Sequence, residues 1–144
     1  VFFYGSKQST LDKLNSELIR TFPSLLIVGS ISPPFRELSQ KEDSEIVRVI
    51  NESGAGLLFV GLGCPKQEKW MFEHKGRINA VMLGVGAAFD FHAGTVKRAP
   101  SWMRDLGLEW MYRLFCEPKR LWRRYFVTNS LYCVYAFKQL FLKK

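Results

Sequence analysis

The sequence lacks several features that would assign it to a familiar class of protein. Three cysteines in 144 residues, with no Cys-x-x-Cys spacing, argue against a disulfide framework or a cysteine zinc site and predict reduced thiols. No uninterrupted apolar run approaches the roughly 20 residues that a membrane-spanning helix needs. The chain also has no Asp-x-Asp pair to hold Mg²⁺ on a diphosphate, no Walker loop and no Gly-x-Gly-x-x-Gly fingerprint. These absences disfavour P-loop NTPases and dinucleotide-dependent enzymes.

Positive charge is concentrated in the last third of the chain. Residues 1–96 contain 10 Lys or Arg against 10 Asp or Glu, whereas residues 97–144 contain 11 against 3. The second part therefore accounts for the whole net charge of +8. We predict a neutral α/β body over residues 1–96 and a basic, aromatic, helical appendage over residues 97–144. Such an appendage favours an anionic surface or ligand as its partner.

Apolar runs and helical patterns alternate through the body. The predicted strands are residues 1–4, 25–30, 56–60 and 80–85, and Ser9 is predicted to cap the first helix. Strands that are apolar on both faces indicate a parallel sheet with helices on both sides, a Rossmann-like α/β fold. Ligands of such sheets bind outside the carboxyl ends of the strands, where this chain places glycines. We predict a nucleotide site there, with substrate-binding positions at Gly5, Gly61, Gly63, Gly84 and Gly86.

The turn after the third predicted strand has the composition of an anion site. Gly61 and Gly63 let the backbone approach a ligand closely, and Pro65 presets φ for the first turn of a helix. The unpaired N–H groups of that turn would point at the ligand, with Lys66 and Gln67 at the mouth of the cleft. Because Gly-x-Gly alone is a weak signal, a tight turn with a surface Lys and Gln stays the alternative.

Four arginines stand among aromatic residues in the basic appendage. They are Arg113, Arg120, Arg123 and Arg124. On one helical path the separations of 7 and 3 would project the first three to one side. Guanidinium groups bind phosphate oxygens in pairs, so this cluster suits a diphosphate. A solvated basic face is the alternative, although the rings between the arginines are ill suited to water.

The same arginine and aromatic pattern suits an anionic membrane surface. A helix with cations on one side and large apolar rings on the other can lie in a bilayer interface, where each basic residue contributes on the order of 1 kcal/mol. A nucleic-acid-binding tail is the rival interpretation, since arginines bind phosphates and rings stack on bases. The apolar excess after Leu131 argues against nucleic acid. Residues 131–142 could instead form a core helix that packs on the sheet.

Other candidate residues have structural interpretations. Asp90 and His92 supply too few ligands for a metal ion, and Asp90 is predicted to fix the loop after the fourth strand. Cys64 has no base placed beside it by sequence, so it is not predicted to be a nucleophile. His74 falls on the polar side of its helix and is predicted to lie on the surface. Glu68 is predicted to face the positive end of the helix dipole.

Several long motifs resemble those of the WecG/TagA/CpsF family of bacterial glycosyltransferases. The motif at residues 61–70 is Gly-Leu-Gly-Cys-Pro-Lys-Gln-Glu-Lys-Trp. The others are residues 84–90 with Gly94, residues 97–100, residues 106–113 and residues 117–125. The resemblance covers nearly all of this chain but only the C-terminal part of the family's usual length.

The resemblance implies a reaction, its partners and a location. The reaction is inverting transfer of a hexose such as N-acetylmannosamine from a UDP-sugar donor to an undecaprenyl-diphosphate-linked acceptor, without metal or other cofactor. It belongs to bacterial cell-surface polysaccharide or teichoic acid synthesis, at the cytoplasmic face of the cell membrane, with the protein attached peripherally. Nucleic acid is not an expected partner, and self-association is left open.

The resemblance also assigns roles to residues of this chain. Gln67 would contact the donor or the reacting centre, and three arginines would reach the diphosphate of donor or acceptor as catalytic residues, namely Arg113, Arg120 and Arg123. Lys66 and Arg124 are predicted to add binding contacts. The carboxylate proposed as the family's general base, with a Thr and an Arg near it, belongs to an N-terminal segment that this chain does not contain. Asp90 belongs to another motif and does not replace it. A non-catalytic nucleotide- or nucleic-acid-binding module with a basic tail is therefore the alternative.

Overall fold

Four parallel strands form the central sheet of the computed structural model, which describes residues 1–96, 99–116 and 118–141. The strands are β1 (Phe2–Gly5), β2 (Gly29–Ile31), β3 (Leu57–Gly61) and β4 (Val81–Gly84), in the spatial order β2-β1-β3-β4. Every neighbouring pair is parallel. The predicted Rossmann-like α/β fold is confirmed.

Seven helices accompany the strands within the described ranges. The first four are α1 (Gln8–Thr21), α2 (Gln40–Glu52), α3 (Lys66–Glu73) and α4 (Ala88–His92). The last three are α5 (Ser101–Asp105), α6 (Glu109–Cys116) and α7 (Pro118–Phe141). The chain divides into two compact units, Val1–Lys97 and Arg98–Lys144. The first unit contains the sheet with α1–α4, and the second contains α5–α7.

Two apolar clusters cover opposite faces of the sheet, because successive strand side chains alternate in direction. On one face Phe2 and Tyr4 of β1 pack with Ile50 of α2 and Trp70 of α3. On the other face Phe3 packs with residues of α1 and α4, namely Leu11, Leu14 and Phe89. The helices after β1 and after β3 therefore lie on opposite faces of the sheet.

Helix α1 begins two residues earlier than the sequence suggested. Lys7 is the N-cap and makes no side-chain capping bond, so the predicted capping by Ser9 is wrong. The side chain of Gln8 donates to Asp12 Oδ1 at 2.8 Å and thereby competes for the carboxylate that Ser9 would have needed. Helix α2, by contrast, has a full capping box between Ser39 and Glu42.

Strand β2 is shorter and later than the predicted residues 25–30. Its ladder with β1 pairs Phe2 with Gly29 and Tyr4 with Ile31. Before Gly29, Val28 N donates to Val1 O at 3.0 Å and Leu26 O accepts from Val1 N at 2.6 Å, but these bonds do not extend the strand. Because a strand needs a paired neighbour, the apolar run from residue 25 is only partly recruited into the sheet.

The second unit is helical, as the sequence predicted for this region. Gly107, with φ of 71°, separates α5 from α6, and Leu108 N donates to Met103 O at 2.7 Å across the break. Met103 and Leu121 are buried, whereas most large apolar side chains of α7 are exposed. Within the described ranges, no helix has both the length and the apolar character needed to cross a bilayer.

Candidate functional site

The strand order creates a crevice at the carboxyl ends of β1 and β3. The chain leaves these neighbouring strands toward opposite faces of the sheet, which is the topological switch point where α/β proteins bind ligands. A cleft of about 800 Å³ opens there, lined at the strand ends by Ser6, Gly61 and Leu62. It extends between the loop of residues 33–38 and α3.

Gly5 and Gly61 are required by the close approach of the two strands. Gly5 has φ of 121°, and a Cβ on it would lie 2.5 Å from the carbonyl carbon of Gly61. A Cβ on Gly61 would in turn lie 2.5 Å from the ring of Phe89. The Gly61 carbonyl accepts a hydrogen bond from Ser6 N at 3.1 Å. Gly5 and Gly61 therefore form the tightly packed floor of the crevice. Gly63 differs, because a Cβ on it would meet no atom within 4 Å.

Gln67 is buried beside the end of β4. It is 7% exposed, its Oε1 accepts from Gly86 N at 3.0 Å, and its Nε2 donates to Glu68 Oε1 at 3.0 Å. A Cβ on Gly84 would lie 3.0 Å from Gln67 Nε2, so that strand end also needs a glycine. The structure thus brings three predicted site residues together, with Gln67 bracing the turn at Gly86.

Lys66 and Gln67 stand on different sides of the first turn of α3. Lys66 is exposed and lines the cleft, whereas Gln67 faces Gly84 and Gly86. Pro65 is the N-cap and makes no side-chain capping bond. The backbone N–H groups at the start of α3 therefore lie between the cleft lined by Lys66 and the buried side-chain amide of Gln67.

The cleft is lined by cations and carboxylates, and two of the cations form no ion pair with a described residue. The carboxylates are Glu37, Asp43 and Glu73. Arg36 is bound to Glu42 at 2.6 Å and Arg77 to Asp43 at 2.7 Å. Neither Lys66 nor Lys69, one helical turn apart on the cleft wall, forms an ion pair with a described residue. Lys69 was not among the predicted site residues, although its i,i+3 spacing from Lys66 was a usable signal.

His74 is buried, so its predicted surface position is wrong. The side chain is stacked on Trp70 with ring centroids 4.0 Å apart, and Nε2 lies 2.8 Å from Asp43 Oδ1. Burial alone would raise the pKa of Asp43, but hydrogen bonds from Arg77 and His74 outweigh it and hold that pKa below its usual value. The partner that buries His74 lies 31 residues away, and no local pattern indicated it.

Tyr4 stacks on the other face of Trp70, with ring centroids 4.5 Å apart. Burial, with a smaller effect from Asp43, raises the pKa of Tyr4 to about 12. An unfolded tyrosine ionises near pH 10. The stabilising effect of neutral Tyr4 is therefore complete below about pH 10 and is lost as pH rises toward about 12.

We expect Tyr4→Phe to flatten the loss of stability between pH 10 and 12, measured by urea unfolding at several pH values. The phenylalanine has no proton to release, so this part of the pH dependence disappears. Tyr132→Phe is the control, because Tyr132 is 73% exposed. An unchanged alkaline slope in Tyr4→Phe would show that another group causes it.

Arg113 belongs to α6, which is described to Cys116, and the other three predicted arginines belong to α7, which is described from Pro118. Residue 117 between them lies outside the described structure, so a common helical path through the arginines stays a prediction. Arg113 is half-buried and Arg123 is exposed. The side chains of Arg120 and Arg124, like residues 97, 98 and 117 of the quoted motifs, lie outside the described structure.

Asp90 has the structural role predicted for it. Its backbone carbonyl accepts from Thr95 N at 3.0 Å, and its Oδ1 accepts from Thr95 Oγ1 at 3.3 Å. No cluster of three His, Cys, Asp or Glu side chains suited to a metal occurs in the described part of the chain. The three cysteines are free and exposed.

A second hollow, of about 430 Å³, has a different character. Apolar side chains line it between α1, α4 and the sheet, including Phe3, Leu18, Phe22 and Phe59. It offers little to an anionic ligand, because an unpaired charge is costly in apolar surroundings. The cleft at the switch point is therefore the candidate site.

Comparison with known proteins identifies the family. The model of the Glycosyl transferase WecG/TagA/CpsF family matches residues 1–144. A protein of Bacillus subtilis (strain 168) is 34% identical over 125 residues, covering 86% of this chain and 46% of that protein. A protein of Bacillus spizizenii (strain ATCC 23059 / NRRL B-14472 / W23) is 39% identical over 127 residues, with the same two coverages.

Both relatives are named N-acetylglucosaminyldiphosphoundecaprenol N-acetyl-beta-D-mannosaminyltransferase. The chain spans about half the length of these curated relatives. The family match extends from the glycine-edged strands through the arginine-containing helices, and it confirms the resemblance found in the sequence motifs. This chain belongs to the WecG/TagA/CpsF family of glycosyl transferases.

Proposed function

We propose that this chain is the donor-binding C-terminal portion of a glycosyltransferase. The transferred group is a hexose such as N-acetylmannosamine, the donor is a UDP-sugar, and the acceptor sugar is linked to undecaprenyl diphosphate. Family membership and the names of the two relatives support this class of reaction. The observation that carries the proposal is the cleft at the β1/β3 switch point, with two unpaired lysines on its wall.

The donor diphosphate is assigned to the mouth of this cleft. Backbone N–H groups of the first turn of α3 and the ammonium groups of Lys66 and Lys69 supply positive potential there. Gly63 leaves room for a phosphate to approach the backbone. Gln67 lies on the other side of the same turn. One N–H of its side-chain amide donates to Glu68, and the second is proposed to donate to an oxygen of the UDP-sugar.

The chemistry requires cations to stabilise the departing nucleotide. An acceptor hydroxyl attacks the anomeric carbon, the bond from that carbon to the diphosphate oxygen breaks, and UDP leaves with the electron pair. The hydroxyl proton passes to a general base, a part for which Asp90 is not proposed because its Oδ1 accepts from Thr95 Oγ1 and fixes a turn. Arg113, Arg120 and Arg123 are proposed to stabilise the charge on the leaving diphosphate, with Arg124 binding it.

Arg123→Ala tests the leaving-group role in a full-length protein that contains this chain. We expect kcat to fall by about 10²–10³-fold, the usual loss when one positioned charge-stabilising donor is removed. Arg104→Ala is the matched control, because Arg104 is also an exposed helical arginine of the second unit. Turnover that is equal in both variants and the parent would refute the role of Arg123.

The exposed rings of α7 favour attachment to an anionic membrane surface at the cytoplasmic face. They include Trp122, Phe126, Tyr132 and Tyr135, on a helix that also contains Arg120, Arg123, Arg124 and Lys138. Apolar rings and cations together can bind a bilayer interface. An extended apolar and aromatic surface is costly to leave in water.

We expect the chain to sediment with vesicles that contain anionic lipid and to be released by added salt. Phe126→Ser with Tyr132→Ser should weaken binding at least tenfold, because burying each ring contributes about 1.5–3 kcal/mol. Phe72→Ser is the control, as Phe72 is equally exposed but lies in the first unit. Binding to single-stranded RNA in place of vesicles would instead favour the nucleic-acid module.

A further inference from the structure

Helix α3 is too short to hold its own orientation. It has eight residues, and isolated helices of this length are not stable in water. Its first turn bears Lys66 and Gln67, yet the N-cap Pro65 makes no side-chain capping bond. The contacts that orient this turn must therefore be sought elsewhere along the helix.

The other end of α3 is clamped to α2. His74, the C-cap residue, is 2% exposed, with Nδ1 2.7 Å from Trp70 O and Nε2 2.8 Å from Asp43 Oδ1. These two contacts fix the imidazole ring between Trp70 and Asp43. Arg77 donates to the second oxygen of Asp43 at 2.7 Å and so holds that carboxylate in place.

A column of rings joins this clamp to the sheet. Trp70 lies between His74, stacked at an interplanar angle of 16°, and Tyr4 at the end of β1. The buried indole Nε1 of Trp70 has no hydrogen-bond partner in the described structure, so Trp70 acts here through its two ring faces.

The site end of the helix is tied to the turn after β4. Gln67 Oε1 accepts a hydrogen bond from Gly86 N at 3.0 Å. A displacement of α3 by half an ångström or so would stretch this bond. The position of Gln67 thus depends on where the clamp holds the helix.

We propose that Asp43 and His74 are positioning residues, which hold α3 so that Lys66 and Gln67 face the donor. The inference rests on the proposed function for the identity of that donor. It assigns no contact with substrate to either residue. A clamp that served stability alone would leave the geometry at Gly86 and the affinity for UDP unchanged whenever the chain is folded.

His74→Gln in this chain separates positioning from stability. The glutamine amide can still donate to Asp43, but it loses the ring stack and the bond to Trp70 O. We expect a changed ¹⁵N–¹H shift for the Gly86 amide, and UDP affinity at least about fivefold weaker by calorimetry, the lower end of coupling between separate sites. Both measurements are made well below the unfolding temperature.

Leu14→Ala is the matched control, because it opens a cavity on the opposite face of the sheet. It should lower stability while leaving the Gly86 shift and the UDP affinity unchanged. If His74→Gln does not fold, Asp43→Asn removes the charge with little change in shape and should give the same two signatures. The inference is overturned if His74→Gln or Asp43→Asn is folded and its Gly86 amide has the same chemical shift as in the parent chain.

Imidazole ¹⁵N spectra give a further test. The ¹⁵N shift of His74 Nε2 should differ between this chain and Asp43→Asn, because Asp43 Oδ1 lies 2.8 Å from that nitrogen, whereas an unchanged shift would overturn the clamp geometry. These spectra and the Gly86 shift need no ligand. Failure of the parent chain to bind UDP would therefore count against the proposed function alone. The imidazole spectra and the Gly86 shift would still decide the positioning inference.

Discussion

Gly5→Ala is expected to lower the free energy of unfolding by about 4 kcal/mol, a large share of the 5–15 kcal/mol that stabilises a typical domain. The added Cβ would lie 2.5 Å from the Gly61 carbonyl carbon, and both atoms belong to paired strands that cannot separate. Backbone strain at φ of 121° contributes about 1–3 kcal/mol, and overpacking a further 1–3 kcal/mol. Urea unfolding followed by circular dichroism measures the loss.

Gly76→Ala is the matched control for this variant. Gly76 also has positive φ, at 81°, but a Cβ there would meet nothing within 4 Å. It should cost only about 1–2 kcal/mol, the ordinary penalty for a left-handed residue with a side chain. Equal losses in the two variants would show that backbone conformation, and not the contact of β1 with β3, is what requires Gly5.

Gln67→Ala should reduce turnover by about 10²–10³-fold in a full-length protein that contains this chain, as expected for loss of a preorganised polar group at the reacting centre. The change removes the amide proposed to contact the donor and leaves Gly86 N without its acceptor. Steady-state assays with UDP-sugar and polyprenyl-diphosphate acceptor, at a temperature where the variant is folded, measure the effect.

Gln8→Ala serves as the control, because Gln8 is an exposed glutamine whose amide bonds a neighbouring helical carboxylate. It should leave turnover at the parent value. If Gln67→Ala is folded and retains more than about half of the parent kcat, the amide only braces the turn at Gly86, and its assigned part in catalysis is wrong.

The sheet and its glycine-lined edge were predictable because their signals are local. Continuous apolar runs that end at Gly5, Gly61 and Gly84 predicted three of the strands, and the glycine at each end predicted where the chain turns. Burial on both faces holds for β1 but not for β4, whose residues are mostly exposed. The limits of β2 were not predictable in this way. The first and last residues of β2 depend on which of its residues pair with β1. These pairing partners are distant in sequence, so no local pattern indicates them.

The candidate site was predicted in part, for a similar reason. Spacing and composition pointed to Lys66 and Gln67 but could not show that one lines the cleft and the other is buried. The burial of His74 depends on Asp43, which reaches it only when α2 packs beside α3.

Titration of the ¹⁵N-labelled chain with UDP, followed by amide chemical shifts, tests most directly whether the crevice between β1 and β3 binds a nucleoside diphosphate. We predict saturable changes at Ser6, Gly63 and Lys66, with smaller changes when uridine replaces UDP because the lysines attract the diphosphate. Changes confined to Leu18 and Phe22 in the apolar hollow, or no saturable change at the strand ends, would contradict the account.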